Sequence, residues 1–334
     1  MVGSLHFRSR GIYSSIKSIL SIFKISKDYE PDLILLEGPG FLSFVSLIIK
    51  IIYELPLIVR VKGDLWKTYS EINHDLPLYE KVTKLLNYKA GALILKHADA
   101  ILPISERIGK VTTVNLSMDK PMHVVYIPFF NAEDNVTNNG AQQTGLDSIV
   151  NGNYVLTVTN FNFWAKVEPL LDAIKTTAPV LQELGIKWLI LGDGFFFDKF
   201  KQSIKESINM ETVLFLGRQN PYPFYKRAMA LFYISGMDGL PNVLLEASYS
   251  KLPIIINKEC DSVEFVINGY NGIIADFNDR SQITEIINKI DSDKEFRNTI
   301  SDNAYSYLQA NFSLKHVSSQ LEKAINSTLA NSGD

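Results

Sequence analysis

Short apolar runs alternate with longer helical segments along most of this 334-residue chain, and no other feature constrains the fold as strongly. The runs have the length of strands, and the segments between them have helical periodicity. Parallel strands need a long crossover connection, usually a helix, so this alternation predicts parallel βαβ units and an α/β fold. We predict strands at 33–36, 57–61, 100–104, 123–127, 154–158, 188–191, 213–215, 231–234, 252–256 and 272–275, and two amphipathic helical segments closing the chain.

A polar stretch separates two sets of strands and predicts a domain linker. From Asn131 to Asn153 the chain is rich in Asn, Gly, Gln, Thr and Asp. We expect an N-terminal domain over residues 1–148, a C-terminal domain over 149–310, and a C-terminal helix at 311–334 that packs back toward the first domain. The chain opens on a helical pattern at 12–23 where a doubly wound domain usually opens on a strand, so we expect the first domain to be incomplete, without its first βα unit.

Composition argues against several classes of function. Thirty-three Lys and Arg against 36 Asp and Glu leave a formal charge of −3, which provides no global basic field for nucleic acid. Cys260 is the only cysteine, and the five histidines are widely spaced, so no metal motif is present in the sequence. The apolar stretch at 41–59 contains Lys50, Glu54 and Pro56 and falls short of the roughly 20 apolar residues of a spanning helix.

The most informative segment is a strand, a loop and a helix between Leu231 and Glu246. Pro241 suits a first helical turn, and the amides of 242–244 are then expected to be free to bind phosphate or sugar oxygens. Asp238 and Glu246 can bracket one polar ligand, because carboxylates accept hydrogen bonds from sugar and ribose hydroxyls. The alternative is structural: Asp238 caps the helix and Glu246 faces solvent.

This segment, Asp238-Gly-Leu-Pro-Asn-Val-Leu-Leu-Glu246, resembles the EGxPxxxxE-like hallmark of the retaining GT-B glycosyltransferases of the family-4 type. The stretch from Lys251 to Ile256 and that from Glu264 to Gly272 resemble the family's next strand, helix and glycine turn. Gly192-Asp-Gly194 and Gly217-Arg218 resemble its upstream turns. The resemblance, from about Pro31 onward, implies a GT-B architecture of two Rossmann-like, doubly wound parallel-sheet domains that face a cleft.

The resemblance also implies roles for individual residues. Lys166 falls where the family places a lysine that contacts the donor diphosphate, and we expect it in a loop after a strand, where its flexible ammonium group can neutralise the leaving group. Asp238 would orient the sugar, and Glu246 would hold the nucleotide ribose. The other expected donor contacts in the second domain are Asn160, Gly192, Gly217, Arg218, Gly239, Leu240, Pro241, Asn242 and Val243.

In the first domain the resemblance rests on the segment Gly63-Asp-Leu-Trp66, which is similar to a GD-x-x-W-like sequence of a variant of the family, with Lys62 where other family members carry a histidine. Gly63 and Asp64 are candidates for contacting the donor sugar or the acceptor. The alternative is a strand-ending turn capped by Asp64.

By this resemblance the chain transfers sugar from a nucleoside diphosphate sugar to a glycan, lipid-linked or other acceptor, with retention of anomeric configuration. Lys166, the amides at the helix start and Arg218 would stabilise the leaving diphosphate, so no metal or other cofactor is expected. A cytoplasmic location is implied, and peripheral contact with the inner membrane face stays open.

Other functions are weighed against this one. A glycosyltransferase-like binding subunit that needs a partner chain is the main alternative, and an epimerase or phosphorylase on the same fold is a further one. A dehydrogenase is disfavoured because Phe197 occupies the third glycine position of a GxGxxG fingerprint. Asp291-Ser-Asp293 spells the acidic pair of metal-dependent GT-A transferases, but its place between two helical patterns predicts a helix cap.

Overall fold

The chain divides into two compact units in its computed structural model, one formed by residues 1–125 with 318–334 and the other by residues 126–317. The first unit ends earlier than the predicted boundary after residue 148. Tyr126 packs its ring against Phe312, and the Phe129 N–H donates to the Phe312 carbonyl at 2.9 Å, so this stretch belongs to the second unit. The residues that the structure describes are 21–24, 27–70, 78–117, 120–130, 153–205, 211–237, 240–260 and 264–332.

The first unit contains a parallel sheet with the order β1-β2-β3. Its strands are β1 (Ile34–Glu37), β2 (Leu57–Val61) and β3 (Ala100–Pro103), as predicted. A short 3₁₀ helix (Leu42–Phe44) precedes the first of the connecting helices. These helices are α1 (Val45–Tyr53), α2 (Leu65–Ser70), α3 (Leu78–His97) and α4 (Glu106–Leu116).

The predicted strand at 123–127 was wrong as a regular strand. Met122 forms a bridge to Ile101, and the N–H groups of His123 and Val125 donate to carbonyls of β3 at 3.1 and 3.0 Å. Pro121 and Pro128 bound this segment. Because proline has no N–H to donate to a ladder, pairing with β3 stays short.

The second unit is built on a parallel sheet with the order β6-β5-β4-β7-β8-β9, and all six strands predicted for it are confirmed. They are β4 (Tyr154–Val158), β5 (Lys187–Leu191), β6 (Val213–Gly217), β7 (Ala230–Tyr233), β8 (Ile254–Asn257) and β9 (Ile273–Ala275). The helices are α5 (Trp164–Glu183), α6 (Phe197–Lys205), α7 (Tyr222–Tyr225), α8 (Asn242–Tyr249), α9 (Arg280–Ser292), α10 (Lys294–Phe312) and α11 (Leu314–Ser332), the last running from this unit into the first.

Three helices close the described chain, where two were predicted. Helix α10 was not predicted, and its buried residues Ile300, Ala304 and Leu308 are spaced by four and separated by polar side chains. The Asp293 carboxylate accepts a hydrogen bond from the Phe296 N–H at 2.8 Å, so Asp293 is the N-cap of α10. The predicted helix cap in the Asp291-Ser-Asp293 segment is therefore confirmed.

Apolar residues on both faces of the second sheet are buried, as the uninterrupted apolar runs require for a parallel sheet covered on both sides. On β4, Val155 belongs to one core and its neighbours Tyr154 and Leu156 to the other. The strand order reverses where β4 pairs with β7. In a doubly wound sheet the loops that leave the carboxyl ends of two such strands diverge and leave a crevice between them, which is where ligands bind.

A buried hydrogen-bond chain crosses the centre of this sheet. The Trp188 indole N–H donates to the Thr157 hydroxyl at 3.0 Å, and that hydroxyl donates to the Phe232 carbonyl at 2.7 Å. Thr157 on β4 thus links β5 to β7 in the core. Thr177 on α5 is also fully buried, but within the described residues its hydroxyl has no hydrogen-bond partner.

The two threonines are therefore expected to respond differently to replacement by valine, which keeps the side-chain shape. Thr157→Val leaves the Trp188 N–H and the Phe232 carbonyl unpaired and should lower the free energy of unfolding by about 1–3 kcal/mol. Thr177→Val removes an unsatisfied hydroxyl and should change it by no more than about 0.5 kcal/mol or stabilise the protein. Urea unfolding followed by tryptophan fluorescence measures both, and equal effects would contradict the assignment.

Candidate functional site

Backbone hydrogen bonds join the loops that follow β4, β5 and β6. The N–H of Gly192 donates to the Gly217 carbonyl at 2.8 Å, and the N–H of Phe161 donates to the Asp193 carbonyl at 3.1 Å. A Cβ on Gly192 would lie 1.7 Å from the Thr159 carbonyl oxygen, and its φ of +139° is one that glycine adopts readily. These contacts bring the predicted residues Gly192 and Gly217 to one edge of the second sheet.

Asn160 lies in the first of these loops, between Thr159 and Phe161. Its side chain is exposed, and the carboxamide oxygen accepts a hydrogen bond from the Asn162 N–H at 3.5 Å. Arg218, which follows Gly217, is also exposed, and no ion pair is found for it in the described part of the chain. Both side chains can therefore reach a ligand at this edge.

Lys166 lies in the first turn of α5, and its side chain is buried. The expected loop position of Lys166 was wrong: Phe163 is the extended N-cap residue, and the buried side chains of Val167 and Leu170 fix the first turn in the core.

A close backbone contact brings the loop after β7 against the same turn of α5. The Gly236 N–H donates to the Lys166 carbonyl at 3.2 Å, and a Cβ on Gly236 would lie 2.4 Å from the Ala165 carbonyl oxygen. Glycine is needed here because no side chain fits between the two segments. The structure thus brings Lys166 and the loop that leads into α8 together at the crevice between β4 and β7.

Asn257, at the end of β8, holds the other side of this loop and was not predicted as a site residue. Its carboxamide oxygen accepts a hydrogen bond from the Ser235 N–H at 3.0 Å, and both residues are buried. A polar residue that ends the apolar run Ile254-Ile-Ile256 was the signal available in the sequence. Asp238 and Gly239, two of the predicted site residues, lie outside the described residues.

Helix α8 begins at Asn242, and Pro241 before it is the extended N-cap residue, with φ −79° and ψ 139°. The Leu244 N–H donates to the Pro241 carbonyl at 3.1 Å, so the prediction of a free amide at Leu244 was wrong. Asn242 and Val243 stand at the helix start, where N–H groups point away from the helix and its dipole favours an anion. Leu240, just before Pro241, packs against the core of this unit.

Glu246 lies one turn further along α8 and is half-buried. The Tyr225 hydroxyl donates a hydrogen bond to its Oε2 atom at 2.9 Å. Burial raises the pKa of Glu246 above its ordinary value, and the bond from Tyr225 opposes this rise without cancelling it. The alternative that Glu246 only faces solvent is wrong, and Tyr225 is a further residue that the sequence analysis missed.

Gly63 and Asp64 lie in the first unit, between β2 and α2. The Asp64 carboxylate accepts a hydrogen bond from the Lys67 N–H at 2.8 Å, which is the capping arrangement named as the alternative role. Gly63 is exposed, and a Cβ built on it would meet nothing within 4 Å. Lys62 forms an ion pair with Glu37.

Glu37 ends β1 and faces two cations, Lys62 and Arg60. Burial alone would raise the pKa of its carboxyl group, but the hydrogen bond from Lys62 and the Arg60 charge outweigh burial and lower it. Glu37 therefore stays ionised, and it balances part of the positive charge at the end of β2.

The described residues hold neither a cluster of metal ligands nor a membrane-spanning helix. No cluster of three or more His, Cys, Asp and Glu side chains is placed to hold a metal ion. No helix in this part of the chain combines the length and apolar character needed to cross a membrane.

Comparison with known proteins identifies the domain that contains this site. Residues 142–307 match the family Glycosyl transferases group 1. The capsular polysaccharide biosynthesis glycosyltransferase CapM of Staphylococcus aureus is 24% identical to this chain over 97% of its length and 84% of the length of CapM.

Solved structures show the fold. HepE of Anabaena, in complex with UDP-glucose, matches with a TM-score of 0.70 at 18% identity, over 93% of this chain and 82% of HepE. Sucrose-phosphate synthase of Thermosynechococcus elongatus matches with a TM-score of 0.70 at 15% identity, over 98% of this chain and 82% of that enzyme. The predicted GT-B class, with parallel sheets in two Rossmann-like domains, is confirmed.

The contact between Gly236 and α5 yields a test of the site's geometry. Gly236→Ala should lower the free energy of unfolding by about 2 kcal/mol or more, because the added methyl group meets the Ala165 carbonyl and must push the loop from the helix. Gly185→Ala adds a methyl group in open space at a φ of +68° and should cost only about 1 kcal/mol. Urea denaturation measures both, and a smaller cost at Gly236 than at Gly185 would contradict the close approach.

Proposed function

We propose, on the premise that residues 142–307 form a Glycosyl transferases group 1 domain, that this chain is a retaining glycosyltransferase. It moves a sugar from a nucleoside diphosphate sugar to a glycan or lipid-linked acceptor. The observation that carries the proposal is the meeting of Lys166 with the loop into α8 at the crevice between β4 and β7. A cation and a helix start then converge where the fold binds its ligands.

The leaving diphosphate is stabilised by electrostatics in this proposal. Lys166 is buried, so its charge acts in surroundings of low dielectric, where it attracts an anion more strongly than in water. The amides of Asn242 and Val243 add the positive end of the α8 dipole. Arg218 is exposed beyond β6 and supplies a second cation, so the chemistry needs no metal ion.

The two acidic residues of the 238–246 segment hold the donor's hydroxyl groups. Glu246 lies in α8, behind the amides that bind phosphate, and its carboxylate accepts hydrogen bonds from the nucleotide ribose. Asp238 orients the transferred sugar. Retention of anomeric configuration rests on the likeness of this segment to the pattern of retaining enzymes.

The donor and acceptor classes rest on the relatives. HepE binds UDP-glucose, which supports a uridine diphosphate sugar as the donor to test first. CapM acts in capsular polysaccharide biosynthesis, which supports a growing glycan as the acceptor. The alternative of a non-catalytic subunit gains no support from these comparisons.

The donor site is tested by calorimetric titration with UDP, GDP and ADP in the presence of EDTA. One nucleotide should bind with micromolar affinity to the wild-type protein, and Lys166→Met and Glu246→Gln should each weaken it about tenfold or more, because a charge-assisted hydrogen bond is worth about 1.5–3 kcal/mol. Methionine keeps the apolar stem of the buried lysine and so protects the fold.

Two exposed charges serve as matched controls. Lys175 lies on the same helix as Lys166, and its Nζ atom is 3.1 Å from Oδ1 of Asp172; Glu285 lies on α9. The control variants are Lys175→Met and Glu285→Gln. Both variants should bind the nucleotide as the wild-type protein does. If Lys166→Met and Glu246→Gln both bind the nucleotide as tightly as the wild-type protein does, the assigned site is contradicted.

We further propose that the first unit contacts an anionic membrane surface, where a lipid-linked acceptor is found. Large apolar side chains on this unit face solvent: Leu42, Ile51 and Leu78 are 53%, 76% and 77% exposed. The neighbouring helix α3 carries four lysines and one glutamate. Exposed apolar groups beside lysines suit insertion among the headgroups of anionic lipids.

Co-sedimentation with vesicles tests this contact. The protein should pellet with vesicles that contain phosphatidylglycerol and stay in the supernatant with pure phosphatidylcholine, because each lysine near an anionic surface contributes about 1 kcal/mol. The double variant Ile51→Ser, Ile52→Ser should bind several-fold more weakly. Val114→Ser replaces an equally exposed apolar residue on α4 and should bind as the wild-type does. Equal losses in both variants, or no binding at all, would contradict the proposed contact.

A further inference from the structure

Glu246 is held by one side chain from a different element. Tyr225 lies in α7, between β6 and β7, and its hydroxyl reaches Oε2 of Glu246 on α8 at 2.9 Å. Within the described part of the chain, Oε1 of Glu246 accepts no hydrogen bond. One oxygen of the carboxylate is therefore occupied, and the other is available to a ligand.

The tyrosine is itself fixed by packing. It is 1% exposed and belongs to the same core as Leu244 and Leu245, the residues that precede Glu246 in α8. Its ring lies perpendicular to that of Tyr222, with the centroids 5.9 Å apart. A ring enclosed in this way cannot turn its hydroxyl to solvent without disturbing the core.

We propose that Tyr225 is a positioning residue that fixes the orientation of the Glu246 carboxylate, so that Oε1 faces the hydroxyl groups of the donor. The inference rests on the proposed function, in which Glu246 holds the nucleotide ribose. A free glutamate side chain samples several rotamers and pays entropy when it binds. The hydrogen bond from Tyr225 restricts these rotamers during folding, so the carboxylate is preorganised and loses less conformational entropy on binding.

The electrostatics agree with this role. Burial raises the pKa of Tyr225 well above its ordinary value, and the nearby charge of Glu246 raises it further, so the hydroxyl stays protonated and remains a donor. The same hydrogen bond lowers the pKa of Glu246 and opposes the effect of burial. Loss of the hydroxyl should therefore raise the pKa of Glu246. The ionised carboxylate accepts hydrogen bonds more strongly than the protonated form. The affinity of the protein for the nucleotide should therefore fall as the pH drops through that pKa.

Tyr225→Phe tests the proposal, with Tyr154→Phe as its matched control. Tyr154 is a buried tyrosine of the same core, and its hydroxyl donates to the Phe224 carbonyl at 2.8 Å, so this variant disturbs the same short helix without touching Glu246. Tyr225→Phe should weaken nucleotide binding about three- to tenfold at neutral pH. Its loss of affinity on acidification should begin at a higher pH than in the wild-type protein. Tyr154→Phe should show the wild-type affinity and pH profile.

A second measurement is independent of the donor. Carbon-13 NMR titration of the glutamate carboxyl groups, with Glu246→Gln to assign the signal, gives the pKa of Glu246 directly. The proposal expects a higher value in Tyr225→Phe than in the wild-type protein and in Tyr154→Phe. An unchanged pKa, or equal changes in both tyrosine variants, would overturn it. If the wild-type protein binds no nucleotide, the proposed function fails, while this titration still decides whether Tyr225 controls the carboxylate.

Discussion

The pairing of β4 with β7 at the centre of the second sheet is the constraint on which the rest of this unit depends. These strands are adjacent in space but far apart in sequence, and Val155 and Leu156 pair with Ala230 and Leu231. The hydroxyl of Thr157 reinforces the pair by donating to the Phe232 carbonyl in the core. Because parallel strands end at the same edge, this pairing brings the loops after β4 and β7 side by side.

Close backbone packing then determines what those loops can present. Gly236 lies against the first turn of α5 with no room for a side chain, and Gly192 lies closer still to the Thr159 carbonyl. These glycines let main-chain segments approach where larger residues would separate them. The charge of Lys166, the start of α8 and the ends of β5 and β6 consequently lie along one edge of the sheet. A phosphate-bearing ligand suits such an edge, since amides and a lysine both stabilise negative charge.

Burial and hydrogen bonding act in opposite directions on the acidic residue of this site. Burial removes water from Glu246 and disfavours its ionised form. The hydrogen bond from Tyr225 stabilises the ionised form and offsets part of that effect. A carboxylate that is partly desolvated and held by one oxygen can bind hydroxyl groups more selectively than a freely rotating one. Glu246 is only half-buried, so this loss of water is partial.

Much of the fold was predictable, because strands of a parallel sheet are buried on both faces and appear as uninterrupted apolar runs. All six strands of the second unit and three of four in the first were predicted on that basis. The segment at 123–127 has the same apolar character, but the prolines beside it limit its ladder. Helix α10 was missed because its buried residues are separated by polar and aromatic ones. The early end of the first unit was missed because nothing in the local sequence shows which core Tyr126 and Phe129 join.

The sequence by itself determined the alternation of strands and helices, the helix start just after Pro241 and the spacing of the acidic residues, because each depends on neighbours along the chain. Only the tertiary structure decided that Lys166 is buried in a helix rather than exposed on a loop, that Asn257 fixes the loop at Ser235, and that Tyr225 holds Glu246. Those contacts join residues 20 or more positions apart. Their existence depends on which strands pair and how closely the backbones approach, and local sequence patterns do not encode either.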